Sequence, residues 1–508
     1  MAATPHIVLP HSDFGAVNYT VLAVYFIAML AVGVLAGRSE RGAKEYFTGG
    51  GKIPSWLIGL SLLGTYLSSF TMMALPASSF RDNDFTWSIQ LPFLLLTAVV
   101  ITSFVLPRYR ASGCLSVYEF LEKRIHVSAR MIAAVAFILL SVGRMGLVLY
   151  LPSLAFSVIT GAPLVPTILI MGVVVIFYTV VGGMKGVIWT DAIQVVIFVA
   201  GALATLFFVF APGVDFWAVA NEHHKFRTLN WGTDITKPVT LWLILETIFQ
   251  TIRIYATQQE MTQRYVSTES TREANTGVWI SILGYIPLGY LFYFIGVALF
   301  VFYQVNPDPG VKILTDAKWL DALYPYFVVK HMPAGIAGLV IAAIFAAAMS
   351  TLSSSMNSCS AVCIEDFYKR FFAKSRDDHH HLTVAKWLSL AWGLLMVGMA
   401  ILFMQIEEAQ PVWSKIMAVS TCGILGLMAL AFLPWKINKW AGLIGIIASY
   451  ATLALLMFFL QAAPTWQLSY PVPKDSGVNF LLWPVITNLV CFGVALAIDR
   501  ISPRKEES

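Results

Sequence analysis

Charge is what this chain has least of. Only 12% of its 508 residues are Asp, Glu, Lys or Arg, against 58% hydrophobic, and mean hydropathy is +0.74. Soluble domains carry roughly a quarter charged residues, so the composition excludes a water-soluble protein and places the chain in a bilayer. Cysteine is also sparse. The five (Cys114, Cys359, Cys363, Cys422, Cys491) are odd in number and lie mostly within or beside apolar runs. Cys359 and Cys363 share a helix face, but no histidine or second pair accompanies them, so buried apolar thiols are expected rather than zinc. A phosphate loop is missing: GGGKIPS, residues 49–55, has glycine and lysine in the wrong frame, which excludes ATP hydrolysis and leaves an ion gradient as energy source. The nine histidines sit in the N-terminal tail or in loops without a consistent partner, so a membrane-embedded enzyme is not expected. No Lys or Arg precedes residue 17, which argues against a cleaved signal peptide. No loop is long enough for a further domain, and nothing after residue 500 resembles the output domain of a sensor.

What is present are apolar runs of about 20 residues, the length that crosses roughly 30 Å of hydrocarbon as a helix. Thirteen are expected, near 17–37, 54–79, 86–107, 130–160, 164–182, 187–212, 239–260, 278–304, 334–362, 385–405, 409–434, 440–463 and 479–499. With the N-terminus outside, 22 of the 33 Lys and Arg fall on the inner side, 8 outside and 3 within spans. That bias predicts N-out, C-in, and accounts for the net charge of +5 without nucleic acid. Trp and Tyr near span ends read as interface anchors, the exposed stem of Lys415 as snorkelling, and SVYEFLEKRI, 116–125, as an amphipathic surface helix.

Setting aside 17–37 as an extra N-terminal helix, the next ten spans divide into two groups of five, 54–212 and 239–434, followed by two C-terminal helices over 440–499. Five crossings reverse the side, so a repeated five-span unit is inverted; such repeats place ion and solute sites near the midplane on interrupted helices. The second span has that interruption. GTYLSSFTMMALP, 64–76, brings Gly64, Ser68, Ser69, Thr71 and Pro76 roughly 21 Å into the membrane, although a proline kink with backward-bonded hydroxyls would read the same way. In FAAAMSTLSSSMNS, 345–358, Ser350, Ser353 and Ser354 share a helix face. Close packing of small residues and oxygen ligation of sodium explain them equally well. Asp191, in GGMKGVIWTDAIQ (182–194), lies roughly 9 Å inside Lys185, a functional position unless the two simply pair. Arg144 lies roughly 21 Å beyond Arg130, near mid-membrane, where it needs an anion: Glu246 or a solute carboxylate.

GGMKGVIWTDAIQ with FAAAMSTLSSSMNS, and YFTGGGKIPSW (46–56) before the second span, resemble the sodium/solute symporter family over nearly the whole chain, with closest likeness to its bacterial sialic acid/sodium symporters. The resemblance implies an all-α polytopic membrane protein with a five-plus-five inverted repeat of the leucine-transporter type, and inward symport of a small polar, carboxylated solute with Na⁺ across the inner membrane. It implies a sodium site from the carbonyls of Gly64, Leu67 and Ser350 and the hydroxyls of Ser353 and Ser354, and a deeper one using Asp191 with the serines of 345–358. It also implies solute contacts from Ser68, Ser69, Thr71, Gln90 and Arg144. Tyr66, Thr86, Glu246 and Arg253 depart from that group's pattern, leaving sialic acid, a neutral sugar, a monocarboxylate or an amino acid open as solute.

Overall fold

The structure, a computed structural model, describes residues 9, 13–37, 42–81, 85–210, 213–237, 239–317, 319–373, 377–405, 409–459 and 478–501. The ends of the spans expected near 187–212 and 440–463 lie outside the described residues. So do Arg38, Arg41, Lys318, Lys374, Arg376, Lys474, Arg504 and Lys505 of the charge count, with His6 and His11.

Among the described residues nine helices are long and apolar enough to cross a membrane, ten when one bent pair counts as a span. The bundle helices are α1 (Gly15–Gly37), α2 (Ser55–Tyr66), α3 (Ser69–Arg81), α4 (Gln90–Val100), α5 (Val127–Thr160), α6 (Leu164–Val209), α7 (Thr240–Thr257), α8 (Gln259–Val266), α9 (Thr271–Val305), α10 (Ile336–Val362), α11 (Asp378–Phe403), α12 (Ala409–Thr421), α13 (Ile424–Ala431), α14 (Lys439–Phe459) and α15 (Trp483–Ile501). At 46 residues α6 would run about 69 Å, more than twice the hydrocarbon thickness. It is two arms meeting at Gly183, whose φ of +50° and ψ of −150° suit glycine alone. Two expected spans are not continuous helices: 239–260 breaks at Gln258 and 409–434 at Gly423.

The centre of the bundle is α10. Every residue of it except Ile336 and Leu339 is buried, which a transmembrane helix with this many Ala, Ser and Gly can achieve because backbones approach closely around it. Its start is closed from outside its own chain segment. Asn18 of α1 accepts hydrogen bonds at Oδ1 from the backbone N–H of Gly335 (2.6 Å) and Gly338 (2.9 Å), donors that a helix N-terminus leaves unpaired. Three cations that flank apolar runs are interior: Arg264 is fully buried on α8, Lys225 is buried with its Nζ donating to Phe80 O at 2.8 Å, and Arg130 at the start of α5 is held by Asp366 (2.6 Å) and Glu122 (2.7 Å). The helix Val117–Arg124 has the expected amphipathic character, burying Val117, Tyr118, Phe120 and Leu121.

Helix α1 docks on α6 through glycine. A Cβ on Gly33 would stand 2.4 Å from Cβ and 2.9 Å from Cα of Tyr178. Gly33→Leu should therefore push the two helices apart and lower the melting temperature in detergent, by an overpacking cost of about 1–3 kcal/mol or more. An unchanged melting curve would show that α1 does not seat there.

Candidate ion and solute site

Membrane-embedded backbone must satisfy its own polar groups, so a helix breaks there only where protein or a cavity takes them up. The first break is at Leu67, extended at φ −70°, ψ 133°, between α2 and α3, which bend by 55°. The carbonyls it frees meet α10. Ser350 Oγ donates to Gly64 O at 2.9 Å and Thr351 Oγ1 to Leu67 O at 3.4 Å, while Ser353 Oγ donates to Ser350 O at 3.2 Å. Ser354 Oγ lies 3.1 Å from Thr65 Oγ1. Gly64, Leu67, Ser350, Ser353 and Ser354 are all buried and stand together, with Thr351 a sixth oxygen donor that sequence reasoning missed. Hydroxyls and carbonyls without a carboxylate are the chemistry of a hard monovalent cation rather than a transition metal.

Asp191 does not pair with Lys185, which instead reaches Glu45 at 3.4 Å. Its partner is Arg264. That guanidinium donates to Asp191 Oδ2, Ser61 Oγ, Ser354 Oγ and Glu260 O, each at 2.7 Å, and Ser61 Oγ adds a 2.6 Å bond to Asp191 Oδ2. Asp191 Oδ1 is buried with no hydrogen bond. The four acceptors belong to α2, α6, α8 and α10, so one cation ties four helices.

The second break is at Gln258, extended at φ −89°, ψ 130°, between α7 and α8. Between the two breaks lies a cavity of 350 Å³, within the roughly 300–1,000 Å³ of small-molecule sites. Ser68, Ser69, Thr71 and Arg144 line it, as the sequence led us to expect; Gln90 does not, its carboxamide being engaged by Thr247 Oγ1 at 3.0 Å. Arg253, Gln250, Gln258, Tyr66 and Tyr285 also line it. Glu246 is not the partner of Arg144. It faces a separate pocket with Thr421 and Thr487, whereas Arg144 Nη2 pairs with Glu260 Oε1 and donates to Ser355 Oγ at 2.9 Å. Glu260 was legible only as one more polar residue in TQQE, 257–260, at a span end; the signal that could have found it is that this polar run interrupts a span in the way GTYLSSF does.

Removing one member of a buried ion pair strands the other and costs about 3–5 kcal/mol. Asp191→Asn should therefore lower the melting temperature markedly by leaving the Arg264 guanidinium uncompensated. Asp191→Asn with Arg264→Gln should recover much of the loss. Equal melting of single and double variants would show that the pair carries no stability.

The family model for the sodium:solute symporter family matches residues 46–449. The sodium/sialic acid symporter SiaT of Proteus mirabilis is 35% identical over 451 residues, covering 86% of this chain and 88% of that protein. The human sodium-coupled monocarboxylate transporter 1 is 30% identical over 444 residues, 85% of this chain and 72% of its own length. The solved structure of a Na⁺-coupled sialic acid symporter, outward-open and substrate-bound, superposes with a TM-score of 0.87 at 30% identity, covering 98% of this chain and 100% of that one. With that agreement of sequence, fold and oxygen-lined break, the chain belongs to the sodium:solute symporter family, multi-pass secondary transporters whose coupling ion is Na⁺.

Proposed function

We propose that this symporter carries a carboxylated solute, sialic acid, inward across the inner membrane, with its N-terminus outside, its C-terminus in the cytoplasm and two inverted five-span repeats at 54–212 and 239–434. The observation that carries the proposal is the cavity itself: guanidinium groups and hydroxyls face it at the level of two broken helices, one in the first span of each repeat. Both groups of relatives have names that point to acids as solutes, sialic acid and monocarboxylates, and a guanidinium meets a carboxylate through two parallel bonds. Ser68, Ser69, Thr71 and Arg144 would contact the solute; Gln90 would act through Thr247 rather than directly.

Sodium would sit on the carbonyls of Gly64, Leu67 and Ser350 and the hydroxyls of Ser353 and Ser354, bridging α2 and α10. Ligands shift an equilibrium only by their differential affinity for its states, so a cation bridging these helices favours the arrangement in which they are close, and orders the break that the solute then meets. A deeper sodium would share Asp191 with Arg264, taking the unbonded Oδ1 while Oδ2 keeps the guanidinium.

Three outcomes test this reading. In proteoliposomes an inward sodium gradient should concentrate N-acetylneuraminate, and its absence should abolish accumulation; uptake of lactate but not of N-acetylneuraminate would move the solute to the monocarboxylates. Ser353→Ala should raise the sodium concentration for half-maximal uptake several-fold in protein that still folds, and unchanged sodium dependence in both Ser353→Ala and Ser354→Ala would return these serines to packing. Asp191→Asn, in the background of Arg264→Gln, should lower the sodium Hill coefficient towards one; a wild type that already moves a single sodium would remove the deeper site.

A further inference from the structure

Two arginines line the solute cavity, and their surroundings differ. Arg144 is neutralised within the protein: Glu260, whose side chain is fully buried, pairs with it, and Ser355 takes a further bond. Arg253 has no carboxylate in contact: Glu246, seven residues earlier on α7, acts on its charge only through space. It is 4% exposed, and its Nε donates to Gln250 Oε1 at 2.9 Å. Among the described residues no carboxylate stands within 4.0 Å of it, and neither terminal nitrogen makes a hydrogen bond to protein. Glu246, two turns earlier on α7, lines a different pocket, with Met417 at the boundary between the two.

A guanidinium removed from water and left without an acceptor is costly, and intramembrane cations that face a cavity mark solute pathways. The position is also rigid. Arg253 lies on the last turn and a half of α7 before the break at Gln258, its carbonyl accepts from Thr257 Oγ1 at 2.8 Å, and its Nε is fixed by Gln250, which orients the terminal fork towards the cavity it lines.

We propose that Arg253 is the specificity-determining residue that selects an anion: the solute's single carboxylate binds the terminal nitrogens of Arg253, while Arg144 stays paired with Glu260 and offers the solute only hydrogen bonds. Arg144 with Glu260 and Arg264 with Asp191 are two closed contact pairs, whereas Arg253, which Glu246 reaches only through space, keeps its terminal nitrogens open to the cavity. This rests on the carboxylated-solute reading above, and names the residue that reads the carboxylate.

The test compares an acid with its own neutral ester: N-acetylneuraminate against its methyl ester, and lactate against methyl lactate, by calorimetry in sodium on the full-length protein. Wild type should favour one acid over its ester by at least about 30-fold, the scale of losing one partner of a buried charged pair. Arg253→Gln should collapse that ratio to near one by weakening the acid and not the ester. Sodium-induced thermal stabilisation should persist in the variant, which shows that it folds and keeps its ion site. Arg253→Lys should restore part of the ratio, since the charge returns without the fork. Preference for lactate would change the solute named above and leave the role of Arg253 supported if the ratio collapses there. A ratio that survives Arg253→Gln but falls in Arg144→Gln overturns the inference while the carboxylate reading stands. Equal affinity of wild type for acid and ester, or no affinity for either acid, overturns both.

Discussion

A buried guanidinium has five N–H donors and no capacity to lose its charge, so it dictates what surrounds it. Arg264 imposes that constraint on this bundle. Its four acceptors come from α2, α6, α8 and α10, and α8 can supply one of them only because the chain breaks at Gln258 and turns a short helix across the bundle. One turn earlier on α8, Glu260 fixes Arg144 of α5. Two charges four residues apart on an eight-residue helix thus hold the second half of the second broken span against four neighbours. Breaking either pair would leave a charge in surroundings that cannot solvate it, so the two pairs hold together the helices they join.

The ion site borrows this arrangement. Ser354 is shared: its hydroxyl lies against Arg264 on one side and Thr65 on the other, two residues from the freed carbonyl of Leu67. On the sodium site proposed above, a cation drawing on Ser353 and Ser354 would compete for an oxygen that also accepts from Arg264. The hydroxyl of Ser354 thus joins the first break to the buried ion pair of Arg264 and Asp191.

Some of this was legible in the sequence and some was not, for a physical reason. A break built from residues that dislike helix announces itself: Gly64, Ser68, Ser69 and Pro76 fall within one span, and the serines of α10 recur at helical spacing, so both halves of the oxygen cluster could be read. The second break is made of residues neutral towards helix, TQQE, and only tertiary contact decides that Gln258 is extended. Without that break the sequence offers only a span ending near 260, and the carboxylate it suggests for Arg144 is Glu246, whereas the partner is Glu260. Pairings between charges far apart in sequence are invisible to spacing, which reports only neighbours on one helix.

The same reasoning explains why the two arginines of the cavity look alike in sequence and differ in the structure. Each is a lone cation in an apolar run, and each lies near a broken helix. What separates them is a carboxylate delivered by a segment that had to leave its helix to arrive. Glu260 reaches Arg144 from α8; Glu246, on α7, lines the pocket beside α12 and α15 and acts on Arg253 only through space, so the terminal nitrogens of Arg253 face the cavity without a contact acceptor. The break at Gln258 therefore does two things at once. It joins α8 to its neighbours through Glu260 and Arg264, and it leaves the terminal nitrogens of Arg253 facing the cavity.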